Sequence, residues 1–312
     1  MHAVAGPAVI AVVGATATGK TALSLDLAER LGGEIVNADS MQFYRGMDLG
    51  TAKLPLGERR GIPHHQIDTL DVTEDASVAR YQVEARADIA AIHARGARAI
   101  VVGGSGLYLR ALLDHFDFPA TDASVRAELE ARALHEGPGV LFRELSAVDP
   151  AAASAIPPQN TKRVIRALEV IALTGAPYSS SLPRREYALP AVQVGLRLPY
   201  DVLDARVDAR AGSMWDAGLA HETRSLVAQG LRDGTTARRA VGYAEALAYL
   251  DGALSEAEAR DATARNSRRL ARRQMKWFSP DERVTWVSGA AGPEDGNRVL
   301  RDVLSVVATL DP

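Results

Sequence analysis

Cysteine is absent from the 312-residue chain, which excludes disulfides, thiolate zinc sites and cysteine nucleophiles together. No apolar run approaches the length of a membrane span, and the start, Met1-His2-Ala3-Val4, carries no cationic region. Neither a membrane anchor nor a signal peptide is therefore expected, and the protein reads as cytoplasmic. Charge of one sign is not in excess either. A net charge of −3 excludes the uniformly basic body of a non-specific nucleic-acid coat, so any such partner must be held by local patches. There is no heptad pattern, internal repeat or low-complexity tail, and a monomer is expected. What remains, 47% hydrophobic and 24% charged residues, is ordinary for a soluble globular protein with one large α/β domain and an elaboration.

Residues 14–21 read Gly14-Ala15-Thr16-Ala17-Thr18-Gly19-Lys20-Thr21, a complete G-x-x-x-x-G-K-[ST] phosphate loop. The apolar run Val9-Ile10-Ala11-Val12-Val13 precedes it, and Leu23, Leu27 and Leu31 follow at helical spacing. In such a loop backbone N–H groups close around phosphate oxygens, the lysine adds a point charge and the threonine hydroxyl holds Mg²⁺. The chain is expected to bind a polyphosphate, with Lys20 and Thr21 in those roles.

Strand and helix patterns alternate through the first third, with strands near 8–13, 34–37 and 99–102 and helices at 20–31, 77–94 and from Leu107. Uninterrupted apolar strands in alternation with helices mean a parallel sheet covered on both faces. The predicted fold is α/β, a phosphate-loop core with a parallel sheet flanked by helices. Between Phe116 and about Ala191 the pattern becomes helical, bracketed by Pro119 and by Pro183 and Pro190, which predicts a helical insertion over 117–190 between core segments 1–116 and 191–312. A strand at 192–198, helices near 200–217, 219–229, 241–250 and 255–278, a last strand at 284–287 and a closing helix over 296–310 complete the reading. Two segments are basic without any acid, 159–166 with three cations and 262–276 with six. Alone, each reads as a solvated helix face.

A phosphate loop by itself leaves kinases, ATPases, GTPases and transferases of other diphosphates open. No guanine-reading Asn-Lys-x-Asp is present, and the run 99–102 ends in Gly103-Gly104-Ser105-Gly106 rather than in an aspartate for Mg²⁺. The acid at the tip of an early strand is Asp39, in Asn37-Ala38-Asp39-Ser40. It can serve as an outer ligand of Mg²⁺, as general base for an incoming nucleophile, or simply as a helix N-cap.

Taken together, several blocks resemble the bacterial tRNA dimethylallyltransferase family. They are 14–21, Asp39-Ser40-Met41-Gln42, the run from Tyr44 to Lys53, Pro63-His64-His65 with Asp68, Gly103 to Tyr108, Arg163 to Glu169, Arg239-Ala240-Val241-Gly242-Tyr243 and Arg272 to Trp277. The resemblance spans nearly the whole chain in the family's order. It implies transfer of a dimethylallyl group from its diphosphate to N6 of the adenosine 3′ of the anticodon, position 37, in tRNAs that read codons beginning with U. It further implies Asp39 as base, Lys20 and Arg210 as cations at the diphosphate, and Mg²⁺ on Thr21. From spacing alone Arg210 is one helix-surface arginine among many.

By the same resemblance, contacts to the tRNA anticodon stem-loop fall on Asp39, Ser40, Met41, Gln42, Ser105, Arg126, Lys162, Arg163, Val164, Ile165, Arg166, Arg239, Ala240, Val241, Gly242 and Tyr243. The helical insertion is then the part that grips the tRNA. Departures from the family pattern are Ala15 and Thr18 in the loop, Ser105 in place of threonine, and Ala244 where some members have arginine. His64 and His65, without a third ligand at suitable spacing, read as structural. An adenylate isopentenyltransferase, a phosphate-loop small-molecule kinase and a silent RNA-binding module remain alternatives. ATP often accompanies such loops, although the prenyl transfer consumes none.

Overall fold

The first strand, β1 (Val9–Gly14), is buried along its whole length, and its side chains alternate between two cores. Val9, Ala11 and Val13 join one, whereas Ile10 and Val12 join the other. That division explains why the run is apolar throughout rather than alternating, since helices cover both faces of the sheet. The computed structural model describes residues 7–119, 121–181, 185–290 and 292–309. Leu310, at the end of the predicted closing helix, and Pro183 lie outside them.

The other strands are β2 (Gly33–Asn37), β3 (His64–His65), β4 (Arg98–Gly103), β5 (Ala191–Arg197) and β6 (Val284–Ser288). They form one sheet in the order β3-β2-β4-β1-β5-β6, and every pairing is parallel. β1 therefore sits between β4 and β5, and the chain leaves it in one direction for the first half of the sheet and in the other for the second. Ligands in open α/β sheets bind at such a reversal, beyond the carboxyl ends of the strands. The edge strand β3 went unrecognised in the sequence because two residues carry no periodicity.

Two compact units divide the chain, one comprising the residues up to Leu113 and from Tyr187 onward, the other 114–186. The first carries α1 (Lys20–Leu31), α2 (Val78–Ala94) and α3 (Gly106–Leu113); the second carries α4 (Ala123–Glu136), α5 (Pro138–Val148), α6 (Pro150–Ala155) and α7 (Thr161–Thr174). The first unit resumes with α8 (Tyr200–Asp216), α9 (Leu219–Val227), α10 (Tyr243–Leu250), α11 (Glu256–Phe278) and α12 (Gly296–Ala308). These boundaries differ from the predicted 117–190 for a hydrogen-bonding reason. His115 N donates to Glu186 O at 3.0 Å within the helical unit, whereas Ala188 N donates to Leu113 O at 2.7 Å and Val9 N to Pro190 O at 2.8 Å within the core.

Local chemistry sets the elements that matter below. α11 opens on a capping box: Ser255 Oγ accepts from Glu258 N at 3.3 Å, and Ser255 N donates to Glu258 Oε2 at 2.8 Å, an arrangement that satisfies two otherwise unpaired amides. Its Ala259, Thr263, Ala271, Met275 and Phe278 are buried, a 3.6-residue stripe along a helix otherwise rich in arginine. The helical unit has its own apolar core, built on Leu141, Leu145, Val164, Ile165 and Leu168. No helix among the described residues is long and apolar enough to cross a membrane.

Candidate active site

The phosphate loop joins β1 to α1 by a turn in which Ala17 and Gly19 adopt φ of 64° and 95°. Such values are costly for alanine and free for glycine, so the loop geometry is imposed by its bonds. Thr18 Oγ1 donates to Ala15 O at 2.8 Å, and Lys20 Nζ donates to the same oxygen at 2.5 Å. The loop and the first turn of α1 line a chamber of about 390 Å³ whose walls also include Asn37, His64, Val102 and Thr21. A second, smaller chamber of about 80 Å³ is lined by Met41, Val207, Met214, Val241 and Leu270. The two chambers share Thr16, Asp39, Thr51, Arg210 and Gln274.

Those shared residues come from five segments. Asp39 follows β2 and caps a short 3₁₀ turn, Ser40–Phe43, with Oδ1 accepting from Met41 N at 3.1 Å. The capping role foreseen as an alternative is thus real, and the residue lines both chambers as well. Arg210, on α8, donates from Nη1 to Thr16 Oγ1 at 2.9 Å and from Nη2 to Thr51 O at 3.3 Å. It is a site residue rather than the surface arginine that spacing alone suggested. Its Nε is buried with no partner among the described residues. Gln274, on α11, accepts from Thr16 N at 2.8 Å. It packs closely on Gly104, where a Cβ would fall 2.2 Å from Gln274 Nε2 and displace the end of that side chain.

Burial governs the charges here. It holds the Lys20 ammonium down at about 8, against an upward pull from Asp39 and a further downward push from Arg210. Burial likewise raises the Asp39 carboxyl above its ordinary value, although the Met41 amide, Lys20 and Arg210 oppose the rise. Arg210 is lowered by burial and supported by Asp39. Two cations and one carboxylate in a desolvated space leave a net positive field, suited to a polyanion beside a group that takes up a proton.

The predicted contact residues separate into three groups. Met41 and Gln42 line the chambers, as do Ala240 and Val241, while Ser105 Oγ accepts from Ser40 N at 3.2 Å and so fixes the Asp39 turn. Arg239 is exposed. Tyr243 and Gly242 are buried, and the Tyr243 ring has no exposed surface. In the helical unit Val164 and Ile165 are likewise core residues.

Arg126 and Arg166 there are held by the buried carboxylate of Glu169, each at 3.0 Å, and Lys162 and Arg163 are exposed. His64 Nδ1 meets Ile62 O at 2.8 Å and His65 Nε2 meets Glu34 Oε2 at 2.7 Å; no cluster of three potential metal ligands occurs among the described residues. Sequence reasoning passed over Gln274 and Thr51, which line both chambers. Only Gln274 left a usable trace, because Ser267, Leu270 and Gln274 repeat at helical spacing between the arginines of α11.

A family model described as IPP transferase matches residues 42–281. Among curated relatives, the chain is 55% identical over 304 residues to the tRNA dimethylallyltransferase of Nocardioides sp., covering 97% of each sequence. It is 52% identical to that of Kineococcus radiotolerans, over 96% of this chain and 97% of the relative. The structure is similar to the tRNA isopentenylpyrophosphate transferase of Bacillus halodurans, with 40% identity, a TM-score of 0.72 and 97% of each chain covered. It is also similar to a eukaryotic dimethylallyltransferase solved acting on tRNA, with 27% identity, a TM-score of 0.82, 96% of this chain and 78% of that one.

Proposed function

This chain belongs to the IPP transferase family, and from that premise we propose that it transfers a dimethylallyl group from dimethylallyl diphosphate to N6 of adenosine 37 in tRNA. The substrates are tRNAs that read codons beginning with U, and diphosphate is released. The observation that carries the assignment of roles is the pair of chambers meeting at Asp39, Arg210 and Gln274. One chamber holds a phosphate loop, and the other is walled by Met41, Val207, Met214 and Leu270.

The donor's diphosphate lies against the loop, with Lys20 and Arg210 as its cations. The acceptor base, extruded from the anticodon loop, enters from the other chamber. The N6–C1 bond forms as the C1–O bond breaks, the bonding pair leaves with the diphosphate, and the N6 proton passes to Asp39. A carboxyl raised by burial is better matched to that proton than an exposed one. Charge that develops on the leaving oxygens is met by groups already oriented toward it.

The Thr21 hydroxyl lines the diphosphate chamber and has no protein partner among the described residues, which suits a Mg²⁺ ligand completed by phosphate oxygens and water. When bound, Mg²⁺ would neutralise part of the diphosphate charge. Lys162 and Arg163, with Arg239 on the core unit, are proposed to meet tRNA phosphates.

Purified protein incubated with unmodified tRNA, Mg²⁺ and either dimethylallyl diphosphate or ATP, followed by nucleoside mass analysis, tests the proposal. Prenyladenosine with the diphosphate alone is expected. ATP-dependent phosphate transfer without prenyladenosine would return the chain to the kinases. Preferential modification of free AMP in competition with tRNA would make it an adenylate prenyltransferase.

A further inference from the structure

Arg210 is a half-buried cation whose bonds run only to neutral acceptors, the Thr16 hydroxyl and the Thr51 carbonyl. No ion pair to it occurs among the described residues, so its charge remains available to a ligand. Its direction is therefore set by where those two oxygens are held. Thr16 belongs to the phosphate loop, whereas Thr51 lies in the irregular segment 48–53, which lacks a regular ladder to fix it.

That segment is held from outside. Leu49 N donates to both carboxylate oxygens of Glu222, at 3.1 and 3.0 Å. Tyr243 donates its hydroxyl to Glu222 Oε1 at 2.6 Å and accepts from Gly50 N at 3.2 Å. The Tyr243 ring presses against the segment so closely that a Cβ on Gly50 would lie 2.4 Å from it. The next residue, Thr51, offers its carbonyl to Arg210 and also to Gln42 Nε2, the latter at 3.1 Å. Bonds to a carboxylate are the stronger kind, and a ligand-binding group is only as well aimed as the layer behind it.

We propose that Glu222 and Tyr243 are positioning residues that aim Arg210 at the diphosphate through the 48–53 segment. The proposal rests on the reading of Arg210 as a diphosphate ligand. It gives the buried Tyr243 a function in the same site by a route other than contact with RNA.

The test is a double-mutant cycle read by calorimetric titration with inorganic diphosphate and Mg²⁺, alongside kcat and KM for prenyl transfer. Tyr243→Phe keeps the ring and removes one hydroxyl; Glu222→Gln keeps an acceptor for Leu49 and removes the charge. Each is expected to weaken diphosphate binding about tenfold when Arg210 is present and less than twofold in an Arg210→Ala background. Melting temperatures identify any variant that fails to fold, and the near-isosteric Tyr243→Phe then carries the cycle. Equal losses in both backgrounds, or no loss in either, would overturn the coupling. If the wild type binds diphosphate with the expected coupling but prenylates no tRNA, the functional reading fails and the positioning role stands. If it prenylates tRNA but the cycle is additive, the functional reading stands and the positioning role fails.

Discussion

Thr16 donates its backbone N–H to Gln274 Oε1 at 2.8 Å, joining the phosphate loop to a helix 258 residues further along the chain. The same residue's hydroxyl accepts from Arg210, so one loop position gathers two distant helices at the boundary between the chambers. Gln274→Glu would put a carboxylate next to the diphosphate, and like charges in a desolvated site repel strongly. A fall in kcat/KM for the donor of about 100-fold is expected, against about tenfold for Gln274→Ala, and steady-state kinetics with varied donor would reveal the order. Because glutamate keeps an acceptor for Thr16 N, a glutamate variant close to the wild type with the alanine variant still impaired would show that only the hydrogen bond matters.

Asp39 both caps the 3₁₀ turn and faces the chambers, and the two roles separate by substitution. Asparagine caps as well as aspartate but cannot take the proton. Asp39→Asn is therefore expected to melt within a few degrees of the wild type, bind tRNA with nearly unchanged affinity, and lose about 100- to 10,000-fold in single-turnover rate. A normal rate would remove the base assignment.

The lysine of the loop sets the alkaline limit. Burial lowers Lys20 to about 8, so the free enzyme carries its charge below that pH and loses it above. The kcat/KM for the donor, which reports ionisations of the free enzyme, should fall as pH rises through about 8, and on the acid side as Asp39, raised above 3.8, becomes protonated. In Lys20→Ala the value should drop about 100-fold and the alkaline limb should vanish. A limb unchanged in that variant would belong to another group.

In the helical unit, burial tends to raise Glu169, but bonds from Arg166, Arg126 and the Asp122 amide outweigh it and leave the carboxyl below its ordinary 4.5. A folded-state value lower than the unfolded one contributes stability that is present above about 4.5 and is lost as pH falls through the folded-state value. Glu169→Gln should lower the melting temperature at neutral pH by about 5 °C or more, with the deficit shrinking in acid. Thermal melts at a series of pH values would check both parts.

Lys162 and Arg163 are exposed, while Arg126 and Arg166 are engaged by Glu169. Replacing Lys162 and Arg163 with glutamine should reduce the slope of log affinity for tRNA against log salt by about 1.5, at roughly 0.7–0.9 for each phosphate no longer neutralised. An unchanged slope would make this face of α7 bare surface.

The sequence by itself determined the frame and the phosphate-binding loop. The residue types at 14–21, in that spacing and directly after an apolar strand, specify a phosphate loop, and the two-sided apolar pattern of β1 and β4 dictates a covered parallel sheet. Lys20 and Thr21 follow the end of β1 and Asp39 follows the end of β2, so local signals reached them. Tertiary structure alone decided the rest. Gln274, Thr51 and Glu222 make hydrogen bonds across 159 to 258 residues, and periodicity carries no information over such separations. From spacing alone Arg210 could not be told from its neighbours on α8; its bonds to Thr16 and Thr51 bring it to the chambers. Val164, Ile165 and Tyr243 sit within motif blocks, yet their blocks serve the core and the layer behind the site. Residue type and spacing name the chemistry a segment can supply; which side chains face the ligand is settled only when helices distant in sequence are packed together and the water between them is removed.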